Sequence, residues 1–197
     1  MDHPLRHATK AVRRAAVGTL PADLRTAVFR PIGVVRSPFT WREEAPRQPD
    51  LATSDGEIRL LAGHHNCLKD LAGFDRIWVL AWFHRSHGWK PQIVPPRDRV
   101  KRGVLATRAP DRPNPIGLSC VRLVAVYGGS ILIRDHDLLD GTPVLDIKPY
   151  IPAYDAHPDA NAGWVGALAA PGPDHRLPEG GWLPGRGPAP RSEKPEA

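Results

Sequence analysis

The chain has 197 residues, which is typical of one domain with tails, and its 27 basic and 21 acidic side chains give a net charge of +6. A hydrophobic content of 41% supports a buried core and argues against global disorder. The 23 prolines, more than twice the usual share of about 5%, exclude an all-helical bundle because proline breaks helix interiors.

Residues 1–27 are predicted to form a basic leader, either flexible or a short helix. They carry five basic and two acidic side chains, with Lys10, Arg13 and Arg14 close together. The leader lacks the apolar core of a signal peptide, and no apolar run in the chain reaches the roughly 18 residues of a membrane span. Because the chain has only two cysteines, as is common in a reducing compartment, we expect a cytoplasmic protein.

Residues 28–157 are predicted to form one mainly β domain. Apolar and β-branched runs, separated by proline-bounded loops, predict strands at 28–36, 77–83, 104–107, 119–127 and 131–133. Gly128 and Gly129 predict a tight hairpin between the last two. Residues 57–71 predict a turn and a short helix. Six or seven short strands favour a small, mostly antiparallel β-barrel or a sandwich.

Positive charge is concentrated in residues 85–112, which carry eight basic and two acidic side chains. This density predicts an anionic partner beside the segment, with a solvated basic loop as the alternative.

The same segment contains a stiff loop. Prolines at 110, 113 and 115 fix the backbone and display Arg108, Arg112 and Asn114 at defined angles. Guanidinium groups held in this way suit a carboxylate or a phosphate. A proline-rich turn with surface arginines is the alternative interpretation.

A second polar cluster occupies residues 135–150. Asp137 and Asp140 flank a turn, where carboxylates can accept hydrogen bonds from a ribose or an ammonium group. Asp146 and Lys148 share one face if the chain is extended there, which predicts an ion pair. A structural turn with a surface salt bridge remains open.

Signatures of other sites are missing from the sequence. There is no glycine-rich phosphate loop and no dinucleotide-binding fingerprint, so a Rossmann fold is not expected. His64, His65, His84 and His87 are not completed by a recognisable set of metal ligands, and we therefore expect no metal site.

Taken together, the segments at 32–38, 46–49, 71–80, 101–119 and 137–150 resemble the TsaA/TrmO-like family of tRNA threonylcarbamoyladenosine N6-methyltransferases. The resemblance spans about residues 28–157, in the family's order and spacing. The most specific segments are Arg112-Pro-Asn-Pro-Ile-Gly117 and Asp140-Gly-Thr-Pro143.

The resemblance implies a small β-barrel that binds S-adenosyl-L-methionine without a Rossmann fold and completes its pocket at a homodimer interface. It implies tRNA as the partner, with no membrane and no metal. The implied cofactor contacts are Pro46, Arg47, Gln48, His84, Arg85, Arg108, Leu118, Asp137, Leu138, Leu139 and Asp140.

The implied substrate, N6-threonylcarbamoyladenosine beside the anticodon, has a poor nucleophile at N6 until its proton leaves. A base or a charge-stabilising cation should therefore assist, and Asp146, Lys148 and Tyr150 are the catalytic candidates. Two other functions stay open: N-methylation of a small metabolite, and a non-catalytic RNA-binding barrel.

Residues 158–197 are rich in proline and glycine and are predicted to form a flexible tail. Longer members of the family carry a C-terminal domain that helps to hold tRNA. Either the basic segment and the leader hold RNA by themselves, or the substrate is smaller.

Overall fold

The computed structural model describes residues 26–49, 51, 53–96 and 98–168, and a closed six-stranded barrel lies at its centre. Neighbouring barrel strands are all antiparallel. Around the barrel the order is β1 (Gly33–Arg36), β2 (Asp55–Leu60), β7 (Ser130–Arg134), β6 (Ile116–Tyr127), β3 (Arg76–Trp82) and β8 (Pro143–Pro149). A separate two-stranded sheet pairs β4 (Gln92–Ile93) with β5 (Arg102–Gly103).

The barrel closes because β6 is long and shared between two neighbours. Its first half pairs with β3 and its second half with β7, with a register shift between Leu123 and Ala125. A second shift, between Leu80 and Ala81, lies where β3 meets β8. Such bulges increase bend and twist, which allows a six-stranded sheet to curve onto itself.

Alternate residues of the strands fill the interior. Ile77, Val79 and Ala81 of β3 have no exposed surface, and they pack with the inward residues of the other five strands. Burial of each large aliphatic side chain contributes about 1.5–3 kcal/mol. The predicted mainly β, antiparallel barrel is confirmed. The one α-helix of the described residues is the single turn Pro152–Asp155.

Two local predictions are wrong. Val104–Ala106 form a 3-10 helix rather than a strand, and the N–H of Thr107 donates to the carbonyl of Val104 at 3.1 Å to close the turn. The segment predicted as a turn and helix begins with β2, since pairing with β1 and β7 outweighs local preference. Short 3-10 helices follow at His65–Leu68 and Leu71–Gly73.

Other local predictions stand with adjusted limits. Gly128 and Gly129 form the hairpin turn with φ of 52° and 84°, values that favour glycine. The first strand begins at Gly33, after Pro31, which has no N–H to donate to a ladder. The predicted leader lies almost wholly outside the described residues. So do residues 169–197 of the predicted tail.

The strand directions bring three connections to one end of the barrel, which we call the rim. They are residues 37–54 between β1 and β2, the β3–β6 connection with its two ends at 83–91 and 104–115, and residues 135–142 between β7 and β8. Among the described residues, no helix is long and apolar enough to cross a membrane.

Candidate functional site

Side-chain bonds join the loops of the rim to each other. Arg108 Nη1 donates to Gln48 Oε1 at 2.6 Å, which ties the proline-rich loop before β6 to the loop after β1. A second tie between the same loops is the Arg42–Asp111 ion pair at 3.1 Å. Two residues that are 60 apart in sequence, both predicted cofactor contacts, are thus direct neighbours.

Asp111 also connects the loop after β3, because Ser86 Oγ donates to its Oδ1 at 2.9 Å. Burial raises the pKa of Asp111, but the bonds from Ser86 and Arg42 outweigh burial and hold it below its ordinary value. Asp111 was not among the predicted site residues. Its place between Pro110 and Arg112, inside the stiff loop, is the signal that could have identified it.

Asp140 fastens the β7–β8 connection to the loop after β1. Its Oδ1 accepts the N–H of Ser37 at 3.1 Å, and its own N–H donates to Phe39 O at 2.7 Å. Arg36 Nη1 lies 3.6 Å from its Oδ2. This predicted cofactor contact therefore helps to shape the rim as well as to line it.

Asp137 is the largely buried acid of the rim. Ser119, 2% exposed and pointing inward from β6, donates through Oγ to Asp137 Oδ1 at 2.6 Å. Burial raises the pKa of Asp137, while the Ser119 hydrogen bond and the charge of Arg108 act in the opposite direction. Ser119 was missed by the sequence analysis. A hydroxyl in an otherwise apolar inward row of β6 was the available indication.

The backbone beside Asp137 is held by His136, whose ring is fully buried. Its Nδ1 accepts the N–H of Leu138 at 3.3 Å, and its ring centroid lies 5.5 Å from that of Phe39. Burial lowers the pKa of His136, which favours the neutral ring. Gly56 lies against the opposite edge, where a Cβ would come within 2.5 Å of Nε2.

Two of the remaining predicted contacts in this connection are placed differently. The side chain of Leu138 is 1% exposed and packs in the hydrophobic core, so only its backbone faces the rim. Leu139 is half-buried, and its carbonyl accepts the N–H of Thr142 at 3.2 Å.

The rim also receives the predicted contacts of the loops after β1 and β3. Pro46 is buried, and Arg47 beside it is exposed. His84 is half-buried. Its pKa is lowered first by burial and then by the charge of Arg85. Arg85 reaches back to donate to the carbonyl of Thr40. One barrel therefore gathers ten of the eleven implied cofactor contacts at one end.

Leu118, the eleventh, lies on the outer face of the barrel and is 57% exposed. The register places Leu118 of β6, Leu80 of β3 and Asp146 of β8 in one cross-strand row. Neighbouring strands are about 4.8 Å apart, so these three residues are close neighbours. Leu118 thus belongs with the catalytic candidates rather than with the rim.

The next row on this outer face carries Trp78 and Lys148. Lys148 Nζ lies 2.8 Å from Asp146 Oδ2, which confirms the predicted ion pair. The ring of Tyr150 lies 5.6 Å from that of Trp78, and its N–H donates to Arg76 O at the start of β3. At about 3.3 Å per residue, Tyr150 is about 13 Å beyond Asp146, toward the end opposite the rim.

The outer face of β3 and β6 exposes large apolar side chains. Trp82 is 45% exposed and lies opposite Ile116, which is 39% exposed, and Leu118 continues the patch. The candidate site therefore has two parts: a polar rim, and an outer face with an apolar centre and the Asp146–Lys148 pair at its edge. In the part of the chain that the structure covers, no three His, Cys, Asp or Glu side chains come together as metal ligands.

Residues 34–156 match the family model of the tRNA-methyltransferase O N-terminal domain. The chain is 43% identical to a probable S-adenosyl-L-methionine-binding protein of Pyrococcus abyssi, over 70% of this chain and 75% of that protein. It is 41% identical to the tRNA (adenine(37)-N6)-methyltransferase of Escherichia coli, over 72% of this chain and 65% of that enzyme.

The fold is likewise similar to solved structures. The crystal structure of TrmO from Pseudomonas aeruginosa superposes with a TM-score of 0.60 at 41% identity, covering 70% of this chain and 62% of that one. The match thus spans about two thirds of the E. coli enzyme and somewhat less of the P. aeruginosa structure.

Proposed function

The chain belongs to the tRNA-methyltransferase O N-terminal domain family, and we propose that it is an S-adenosyl-L-methionine-dependent tRNA (adenine-N6)-methyltransferase. Its substrate in this proposal is N6-threonylcarbamoyladenosine beside the anticodon of a tRNA, and its place of action is the cytoplasm. The names of the E. coli and P. abyssi relatives support the reaction and the cofactor.

The observation that carries the proposal is the polar cluster of the rim. S-adenosyl-L-methionine presents a ribose diol, an ammonium and a carboxylate. A largely buried carboxylate at Asp137 suits a hydroxyl or ammonium donor, and the Arg108 guanidinium suits a carboxylate. Gln48, already bonded to Arg108, fixes the orientation of the guanidinium. The residues of the rim fit the cofactor.

The bound cofactor supplies a methyl group that forms a bond to N6 while the sulfur keeps the electron pair of the broken bond. For this to occur, the N6 proton must leave a nitrogen whose electrons are drawn toward the carbamoyl group. We assign this proton to the Asp146 carboxylate, and we assign to Lys148 the stabilisation of negative charge on the carbamoyl oxygen. The 2.8 Å pair holds both groups in position before substrate binds.

The proposal includes a homodimer, because the two parts of the site lie on different surfaces of one barrel. Leu118, an implied cofactor contact, is on the outer face with Asp146, whereas Asp137 is at the rim. We infer that a second copy covers the exposed Trp82, Ile116 and Leu118 and places its rim beside the Asp146–Lys148 pair. Contiguous exposed apolar side chains of this kind are typical of an interface.

The experiment is methylation of tRNA by the purified protein. A tRNA carrying N6-threonylcarbamoyladenosine is incubated with the protein and S-adenosyl-L-methionine, and its nucleosides are analysed by mass spectrometry. The matched control is the same tRNA with unmodified adenosine. We expect a gain of one methyl group on the threonylcarbamoyl nucleoside only.

Three other outcomes would contradict parts of the proposal. Product from unmodified adenosine as well would refute the assigned substrate. No product, together with intact cofactor binding by calorimetry, would favour a small-metabolite substrate. No cofactor binding at all would refute both enzymatic functions.

Sedimentation of Leu118→Glu tests the dimer, which we expect to dissociate with loss of turnover. A dissociated variant that keeps full turnover would refute the shared site.

A further inference from the structure

A strongly basic insertion leaves the barrel at the rim. Residues 88–106, which we call the basic arm, carry five basic side chains and one acidic side chain and contain the small β4–β5 sheet. The arm begins after Ser86 and ends before Arg108, and both of these residues bond across the rim. Whatever binds the arm therefore lies next to the candidate cofactor site.

The one acidic side chain of the arm already accepts hydrogen bonds from other residues of the arm. Asp98 is 9% exposed, and its Oδ2 accepts Arg102 Nε at 2.7 Å. Its Oδ1 accepts the N–H groups of Arg99 and Val100 at 2.7 and 3.1 Å. The bond from Arg102 is the chief reason that the pKa of Asp98 is lowered. Asp98 thus shapes the turn and is poorly placed to repel an anion.

The inner side of the arm is fixed. Arg102 lies over the ring of Trp164, 5.0 Å from its centroid, and Trp164 Nε1 donates to Ala106 O at 2.8 Å. The N–H of Val104 donates to Pro91 O at 3.0 Å, which closes the base of the arm. A surface that is already ordered loses less conformational entropy when a ligand binds.

Three cations of the arm, Lys90, Arg99 and Lys101, are all exposed. Within the described ranges, no carboxylate lies at ion-pair distance from these three groups. Six cations outside the arm differ, because each has a carboxylate partner: Arg36, Arg42, Arg59, Arg122, Arg134 and Lys148. Trp89, 51% exposed, precedes Lys90. Positive charges without a carboxylate partner beside an exposed aromatic ring are the combination that binds unpaired RNA.

We infer that the basic arm is the surface that holds the tRNA. Lys90, Arg99 and Lys101 bind phosphates of the anticodon arm, and Trp89 stacks on an unpaired base near the adenosine that is methylated. This inference rests on the proposed function and adds the location of the RNA. In this inference, residues 88–106 beside the barrel supply the contacts to tRNA.

The test compares two triple variants that lose the same charge. The arm variant is K90A/R99A/K101A. The control variant is R59A/K69A/R122A, which changes three cations away from the arm. The dissociation constant for the threonylcarbamoyl-modified tRNA is measured between 50 and 200 mM KCl. Cofactor binding is measured by calorimetry for both variants, to verify that the site is folded.

Loss of three phosphate contacts should reduce the slope of log K against log salt by about 2–3 and weaken binding about 100-fold near 0.1 M salt. The control variant should keep most of the affinity and of the slope, and Trp89→Ala should weaken binding without a change of slope. Equal losses in both triple variants, or an unchanged slope in the arm variant, would overturn the inference even if wild-type protein methylates tRNA. A wild-type protein that neither binds nor methylates tRNA would refute the proposed function itself.

Discussion

Asp137→Asn separates what the buried carboxylate does for the cofactor from what it does for the fold. The substitution keeps the size of the side chain and an oxygen that can accept the hydrogen bond from Ser119, whose Oγ lies 2.6 Å from Asp137 Oδ1 in the wild-type protein. It removes the negative charge and replaces the other carboxylate oxygen, an acceptor, with an NH2 group that donates. Since burial raises the pKa of Asp137, the ionised form is disfavoured in the folded protein.

The two expected effects have opposite signs. A hydrogen bond from the cofactor to a charged acceptor contributes about 1.5–3 kcal/mol, so its loss should weaken cofactor binding about 10- to 150-fold. The folded state, by contrast, no longer has to bury a charge. With the pKa raised, the folded wild-type protein holds this proton more tightly than the unfolded chain, so its stability falls as pH rises through the raised pKa.

Calorimetry with S-adenosyl-L-methionine measures the first effect, and thermal unfolding from pH 4 to pH 8 measures the second. We expect Asp137→Asn to bind weakly at every pH, and to be at least as stable as the wild type at pH 7. The affinity of the wild type should increase with pH as the carboxylate ionises. Unchanged affinity in the variant would refute the assignment of Asp137 to the cofactor, and a less stable variant at pH 7 would refute the burial reasoning.

Three further predictions concern the rim and the outer face. Gly56→Ala should lower the free energy of unfolding by about 1–3 kcal/mol, because the new Cβ would lie 2.5 Å from the buried ring of His136. The control is Gly103→Ala, whose Cβ would have no atom of a non-adjacent residue within 4 Å and which should be near neutral in thermal unfolding. Burial lowers the pKa of His136, so below pH 6.5 the unfolded chain binds a proton at this residue that the folded protein does not bind. The free energy of unfolding should therefore fall as the pH is lowered through that range. The substitution His136→Gln should flatten this pH dependence in denaturant titrations. Lys148→Met should lower turnover about 100-fold or more and leave the affinity for the cofactor unchanged. Arg108→Ala should instead weaken the cofactor affinity measured by calorimetry. The reverse pattern would exchange the roles assigned to these two residues.

The barrel could be predicted because its two longest predicted central strands are mainly apolar runs. Residues 77–83 and 119–127 have this form, and both are strands within one to three residues of the predicted limits. The errors occurred in short segments. Three or four apolar residues at 104–107 fit a strand or a 3-10 turn equally well by pattern, and only the partner strands decide.

The candidate site could be predicted only in part. Its residues lie in short segments that can be recognised one at a time, but the contacts between those segments depend on the fold. Arg108 and Gln48 lie in motifs that stand out singly, yet their contact depends on barrel closure. Ser119 and His136 carry no motif. Their importance comes from burial beside Asp137, which no single-sequence pattern reports.

Leu118 and Ser119 illustrate why a family motif alone gives an incomplete site. They are adjacent in the chain, and because successive side chains of a strand point to opposite faces, one is 57% exposed outside the barrel and the other is 2% exposed within it. A cofactor that touched both Leu118 and the Ser119–Asp137 pair of one barrel would have to pass around the rim. A second copy removes this difficulty, since one protomer can offer the outer face and its partner the rim. The alternation of a single strand is therefore an argument for the proposed dimer, and the sedimentation of Leu118→Glu tests that step directly.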